Sequence, residues 1–248
     1  MSELKNIVDY YNDQMYKKLN DYIFGNIRVQ KAWKELMRHT KSPRNILEIG
    51  CGAGYISYKL AKKYPKAQVT AIDISDKSIE LAKKVFKARN LNYFCTTIEN
   101  FESEKKFDLI VLFDVYEHIA DEMKASFNKA LSNYISKDAT VFFSFPTPTL
   151  LAYQRKYTPS ALQPVDEDIT ICTLCNFSKQ SNLSLKYFNE VNVYRQGDYA
   201  HAVFASNENW SEYVNHNLLL KLTRRLRRLC SFPTSIYRKI LIKKKLSK

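Results

Sequence analysis

Asn45-Ile46-Leu47-Glu48-Ile49-Gly50-Cys51-Gly52-Ala53-Gly54 decides the fold. A short apolar run ends in three glycines at alternate positions. A helix-like stretch, Tyr55–Lys63, follows, and a second apolar run over 68–72 closes on Asp73. Short apolar runs bounded by turn residues are what buried strands of a parallel sheet look like. Glycines let the backbone turn sharply and approach a ligand closely, and an acidic residue about 20 positions on is placed to bind a ribose diol. The pattern points to a ligand that carries a nucleoside. The Gly-x-Gly-x-x-Gly spacing of nicotinamide sites is the weaker alternative, because position 55 is Tyr55.

The same rhythm continues outward from this stretch. A helix is expected over 76–89, opened by Ser75 or Asp76 as its cap. A short strand follows at 93–95, a stronger one at Phe107–Phe113, a helix over 122–135 and a strand over 140–145. Upstream, 3–40 reads as two helices separated at Gly25-Asn26 and ended by Ser42-Pro43. Strands alternating with helices at this interval predict βαβ units, a mostly parallel sheet with helices on both faces, and a ligand beyond the carboxyl ends of the strands. From Pro146 the rhythm breaks into a loop-rich insertion over 146–168. A helix is then expected over 168–180. Two β-rich segments, 185–194 and Tyr199–Ala205, joined by Gln196-Gly197-Asp198, predict an antiparallel hairpin at the sheet edge.

The run ILEIGCGAGYIS…AIDIS…FDLIVLFDVYEHI resembles class I S-adenosylmethionine-dependent methyltransferases, strongly over about 44–145 and in overall layout to about 206. The resemblance implies an α/β, Rossmann-like, mostly parallel seven-stranded sheet with an antiparallel C-terminal hairpin. It divides the chain into an N-terminal helical lid (1–43), a cofactor-binding domain (44–206) and a tail (207–248). It implies S-adenosylmethionine as cofactor, with Gly50, Gly52 and Gly54 against its methionine and ribose portions and Glu48 supporting the turn. Asp73 then accepts from both ribose hydroxyls, and Ile74 lies against the adenine. Relatives often carry an acidic residue after the third strand; here Thr97 stands there, with Ile98 beside it as a cofactor neighbour. In relatives the first helix folds over the cofactor, so one of Tyr10, Tyr11 and Tyr16, with Tyr11 the choice and Arg28 as partner, is placed to hold the methionine carboxylate.

On the acceptor side, Asp114 and His118 follow the fourth strand, where the transferable methyl is expected. Asp114 is read as touching the cofactor or shaping the cleft. His118 is the candidate general base, since imidazole titrates near neutral pH; capping of the next helix is its plainer role. The insertion supplies Tyr153, Arg155, Tyr157, Gln163, Asp166 and Glu167 as hydrogen-bonding and stacking groups for a polyhydroxylated acceptor. Its stretch from Ser160 to Glu167 is similar to loops of methyltransferases associated with bacterial surface glycans. The expectation is therefore O-methylation of a sugar hydroxyl in a glycan or lipid-linked saccharide. Methylation of a quinone, lipid or other small molecule is the alternative, and a membrane-recruited cofactor-binding scaffold the non-enzymatic one.

The net charge of +14 is unevenly spread. Residues 216–248 hold 11 Lys/Arg and no acid, leaving 28 basic against 25 acidic residues in 1–215. A near-neutral body argues against nucleic acid as partner. In the tail, Leu218, Leu222, Leu226 and Leu229 recur at helical spacing beside Lys221, Arg224, Arg225 and Arg228. That pattern suits an anionic membrane surface, with an oligomer contact as rival. Five unevenly spaced cysteines read as reduced thiols. Cys172 and Cys175 form a lone pair too poor in ligands for a metal and are expected buried in a helix. With no apolar secretory segment at the N-terminus, the expected location is the cytoplasm, at most peripheral on the inner face of the membrane.

Overall fold

The computed structural model describes residues 2–206; the side chains of 2–4, 14–18, 20 and 21, Tyr16 among them, lie outside that description, as does the basic tail. Seven strands form one sheet in the order β3-β2-β1-β4-β5-β7-β6. They are β1 (Asn45–Ile49), β2 (Gln68–Asp73), β3 (Leu91–Cys95), β4 (Phe107–Phe113), β5 (Ile135–Pro146), β6 (Ser184–Val191) and β7 (Tyr199–Ala205). The first five run parallel, and β7 inserts antiparallel between β5 and β6. The mostly parallel sheet and the antiparallel C-terminal hairpin are as expected.

Alternation along the central strands makes two cores. Leu47, Ile49, Ile110, Leu112, Phe143 and Phe145 face one side, with Phe127, Leu131, Leu174 and Phe177 from α5 (Asp121–Ser132) and α7 (Ile171–Ser181). Ile46, Leu109, Val111 and Phe142 face the other, covered by α2 (Ile27–His39), α3 (Tyr55–Lys63) and α4 (Asp76–Val85). Strands covered on both faces are apolar at nearly every position, which is why β4 reads as an almost continuous run and β1 is broken by Glu48 alone among its buried positions.

The chain steps from β1 to β2 and β3 on one side, then returns to lay β4 on the other side of β1. This reversal opens a crevice between the carboxyl ends of β1 and β4. The first helix, α1 (Ser2–Phe24), packs on α4, and its Asn12 amide oxygen accepts from Ser75 Oγ at 2.7 Å.

Three expectations need correction. The insertion is not chiefly loop: α6 (Pro148–Tyr157) occupies it, with Thr147 as cap and Pro148 in the first turn, where a missing N–H costs nothing. The α4 helix stops at Val85 rather than 89, because Phe86 leaves the helix to bury its ring at 2% exposure. Cys172 and Cys175 are exposed, since α7 buries Leu174 and Phe177 instead.

Candidate active site

The turn after β1 is held by the strand beside it. The N–H groups of Gly50 and Cys51 both donate to the Ile72 carbonyl, at 2.8 and 3.0 Å. Gly52 N–H donates to Asp73 Oδ2 at 2.7 Å, and Ser75 N–H donates to Asp73 Oδ1 at 2.9 Å. Asp73 thereby ties the loops after β1 and β2 together. At Gly50 (φ 69°) a Cβ would lie 2.4 Å from Val115 Cγ2, so the turn needs glycine to let the loop after β4 close against it.

A cavity of about 460 Å³ opens at this crevice. Its wall includes Glu48, Gly50, Gly52, Asp73, Ile74, Thr97, Ile98, Asp114, Tyr11, Arg28, His118 and Gln163, so twelve of the predicted residues meet there. The donor set fits a nucleoside. Each Asp73 oxygen accepts one backbone N–H, and a carboxylate oxygen can accept two hydrogen bonds, which leaves capacity for a diol. Ile74 and Ile98 supply flat apolar walls for a base. Glu48, buried at 2% exposure, accepts from the Ser57 hydroxyl behind the turn.

Gly54 does not line the cavity. It caps α3 in a left-handed conformation (φ 89°), and its Cα–H face is pressed against Tyr93 and Ala82. Tyr153, Arg155, Tyr157, Asp166 and Glu167, expected to meet the acceptor, are also absent from the wall. Tyr153 packs against Tyr157 with the rings tilted, 4.9 Å between centroids, and Arg195 lies over the Tyr153 ring at 4.1 Å. Arg155 pairs with Asp168 at 2.9 Å, and Glu167 N–H donates to the Glu117 carbonyl at 2.8 Å. These groups build the insertion; Gln163 and Val165 are the members of it that reach the cavity.

Asp114 follows β4 directly, in the left-handed region (φ 54°), uncommon for a residue with a side chain. Such strain persists only where surroundings hold it, and it clusters at functional sites. Here Asp114 N–H donates to the Ser144 carbonyl at 2.8 Å, and Arg28 Nε sits 3.0 Å from Oδ2 as an ion-pair contact rather than an aligned hydrogen bond. Arg28 Nη1 donates to the Tyr199 hydroxyl at 3.0 Å. Burial works against the Arg28 charge, but Asp114 together with the Tyr199 and Tyr194 hydroxyls outweighs it and keeps the guanidinium firmly protonated. The triad joins α2, β4 and β7 at one edge of the cavity.

Beside it lies Glu117, 1% exposed, with Oε2 unpartnered and Oε1 3.7 Å from His118 Nε2. Burial raises its carboxyl, against the pull of neighbouring His118. His118 is itself buried, which lowers an imidazole, yet Glu117, Asp166 and the Val165 carbonyl outweigh burial and hold it above its ordinary value. Burial, with Glu117 next, also raises the Tyr11 hydroxyl, whose ring lies 6.3 Å from that of His118. Glu117 and Val165 were not singled out from sequence. The signal for Glu117 was an acid set between Tyr116 and His118 in the loop after β4; Val165 acts through its carbonyl and left none.

A family profile described as "Methyltransferase domain" matches residues 46–136. The chain is 30% identical over 193 residues to a ubiquinone biosynthesis O-methyltransferase of Pelagibacter ubique, covering 73% of this chain and 77% of that protein. It is 30% identical over 149 residues to a malonyl-[acyl-carrier protein] O-methyltransferase of Anoxybacillus flavithermus, covering 60% of this chain. The chain spans 24–57% of the length of that protein and two others of the same name. Among solved structures, magnesium protoporphyrin IX methyltransferase from Synechocystis, with bound S-adenosylhomocysteine, superposes with a TM-score of 0.64 at 17% identity, over 82% of this chain and 99% of that one. This last likeness is one of fold.

Proposed function

The chain belongs to the class I S-adenosylmethionine-dependent methyltransferases, and from that premise we propose that it methylates a hydroxyl oxygen of an apolar, ring-bearing or lipid-like small molecule. S-adenosylmethionine, when bound, supplies an electrophilic methyl on a sulfonium, so an aligned oxygen nucleophile gains most from positioning. Asp73 accepts from the ribose hydroxyls, the Gly50–Gly52 backbone permits close approach, and Ile74 and Ile98 flank the base. Tyr11 and Arg28, both on the cavity wall, hold the methionine end. His118 takes the proton that the acceptor hydroxyl gives up, and Asp114 shapes the cleft beside it.

The observation that carries this reading is one titratable imidazole on a wall that is mostly apolar. His118 is 10% exposed there, with Val115, Ile119, Met123 and Phe127 on the same wall and Asp114, Gln163, Tyr11 and Glu122 as polar members. An apolar acceptor gains from such walls, whereas a sugar needs several polar partners. Apart from Gln163, the side chains expected to serve a sugar hold the insertion together instead, so the saccharide reading ranks second. The name of the Pelagibacter relative points the same way. Among the described residues no helix is long and apolar enough to cross a membrane; attachment through 216–248 to anionic lipid accords with a lipid-like acceptor and rests on sequence alone.

The test is mass spectrometry of lipids, quinones and surface glycans extracted from cells with and without the gene. Loss of one methyl from an apolar compound supports the reading, and loss from a glycan alone refutes it. With the acceptor in hand, His118→Ala lowers kcat about 10²–10⁴-fold if His118 is the base.

A further inference from the structure

We propose that Asp166 is a positioning residue for His118: it fixes the imidazole with its proton on Nδ1 and leaves Nε2 without hydrogen, as an acceptor. This rests on the reading of His118 as proton acceptor, yet its geometry stands independently of that role. His118 Nδ1 lies 2.8 Å from the Val165 carbonyl oxygen and 3.1 Å from Asp166 Oδ1. Both partners only accept, so the nitrogen between them must be the one that carries hydrogen. Nε2 faces the Gln163 side-chain amide nitrogen at 2.9 Å, a donor that an unprotonated Nε2 accepts from. The donor and acceptor pattern admits one neutral tautomer.

Asp166 is itself fixed. Its Oδ2 accepts the backbone N–H of Gln163 at 2.6 Å, and its own carbonyl accepts from Arg155 Nη2 at 2.7 Å. Next to it, Glu167 N–H reaches the Glu117 carbonyl. The strap 163–167 is therefore fastened to the turn at 117–118 by side chain and backbone together. This accounts for Asp166 and Arg155 lying off the cavity wall: they act through His118 rather than on an acceptor. The other titratable or charged groups around the ring are Glu117 and Asp114 from the loop after β4, Tyr10 and Tyr11 of α1, and Arg28 of α2 beyond Glu117. Asp166 alone among them is a carboxylate within hydrogen-bond distance of Nδ1. When Nε2 takes a proton, the Asp166 side chain faces the imidazolium across Nδ1–H.

Asp166→Asn makes the role measurable. The Asn oxygen stays on the Gln163 N–H, which turns its NH2 toward His118 Nδ1 and sets donor against donor. The neutral ring escapes by moving its proton to Nε2. Imidazole 15N spectra of the full chain, with His118 assigned among the four histidines by His118→Gln, read the tautomer directly. The wild type is expected as the Nδ1–H form and Asp166→Asn as a mixture or the Nε2–H form, with Asp166→Glu returning toward wild type. Where turnover can be followed, Asp166→Asn lowers kcat about tenfold or more and shifts the acid limb of its pH profile, while KM moves less than about twofold. An unchanged His118 tautomer and pH profile in a folded Asp166→Asn protein would overturn the proposal. Full transfer by His118→Ala, with the tautomer still following Asp166, would remove the base and keep the positioning.

Discussion

Gly54→Ala places a methyl group where the structure has no room, and its effect separates two roles for the third glycine of the turn. A Cβ at Gly54 would lie 2.6 Å from Tyr93 Oη, 2.9 Å from Tyr93 Cε1 and 2.8 Å from Ala82 Cβ. None is a free chain end, since Tyr93 is buried and its hydroxyl bridges the Gly54 and Phe86 carbonyls at 3.2 and 3.0 Å. The left-handed conformation at φ 89° costs an alanine roughly 1–2 kcal/mol. Forcing an extra carbon into a packed site costs about 1–3 kcal/mol more. The sum, roughly 2–5 kcal/mol, is a large part of an ordinary domain's stability and lowers Tm by roughly 4–20 °C in a chain of this length. Because Gly54 faces Tyr93 and not the cavity, S-adenosylmethionine affinity of the folded fraction should stay within about threefold of wild type. Urea unfolding gives the first quantity and calorimetry below the transition the second. Removing the nearest atom in Gly54→Ala/Tyr93→Phe should recover about 1 kcal/mol through coupling of the two sites. A Gly54→Ala protein as stable as wild type that has lost the cofactor would refute the placement.

Further outcomes follow from the buried charges. Arg28→Met should cost about 2–3 kcal/mol by urea unfolding, below the 3–5 kcal/mol of a fully buried pair because the Arg28 side chain keeps 28% exposure; a loss under about 0.5 kcal/mol would mean the Asp114 contact contributes little. His201, 1% exposed, is pushed down to about 4, mainly by burial. An imidazole whose folded value is depressed contributes stability that is complete above its ordinary value and lost as pH falls from about 6.5 toward 4. Wild type should therefore lose about 3 kcal/mol more than His201→Leu between pH 7 and pH 4, and equal losses would contradict the burial of that ring.

Much of the fold is legible in the sequence where burial on both faces leaves no choice of residue. Phe107–Phe113 and Tyr199–Ala205 emerge with the bounds expected of them, fenced by polar residues on each side; Tyr55–Lys63, buried on one face alone, is legible instead from its apolar spacing after Gly54. The α6 helix escapes because prolines punctuate its start, and Pro148 marks a first turn as readily as a loop. The strand β5 begins early, at Ile135, because Phe107 pairs with it across a register shift that no periodicity announces. In the site, residues at strand ends are legible, since topology alone brings Gly50, Asp73 and Asp114 to one crevice. The work of 163–167 is not, because it consists of contacts reaching 45 residues back to His118, some of them made by backbone carbonyls. Tyr153 and Tyr157 have the chemistry of sugar platforms, but their rings find each other and Arg195 first.

Isothermal titration calorimetry of S-adenosylmethionine into the full-length protein, wild type beside Asp73→Asn, asks most directly whether this crevice holds the cofactor. Asn supplies one acceptor oxygen where Asp73 supplies two, and loses a charge-assisted contact of about 1.5–3 kcal/mol. The expected result is saturable one-to-one binding by wild type, weakened tenfold or more in a folded Asp73→Asn protein. No saturable heat with wild type, or equal affinities for the two proteins, would contradict the assignment of the crevice as the cofactor site.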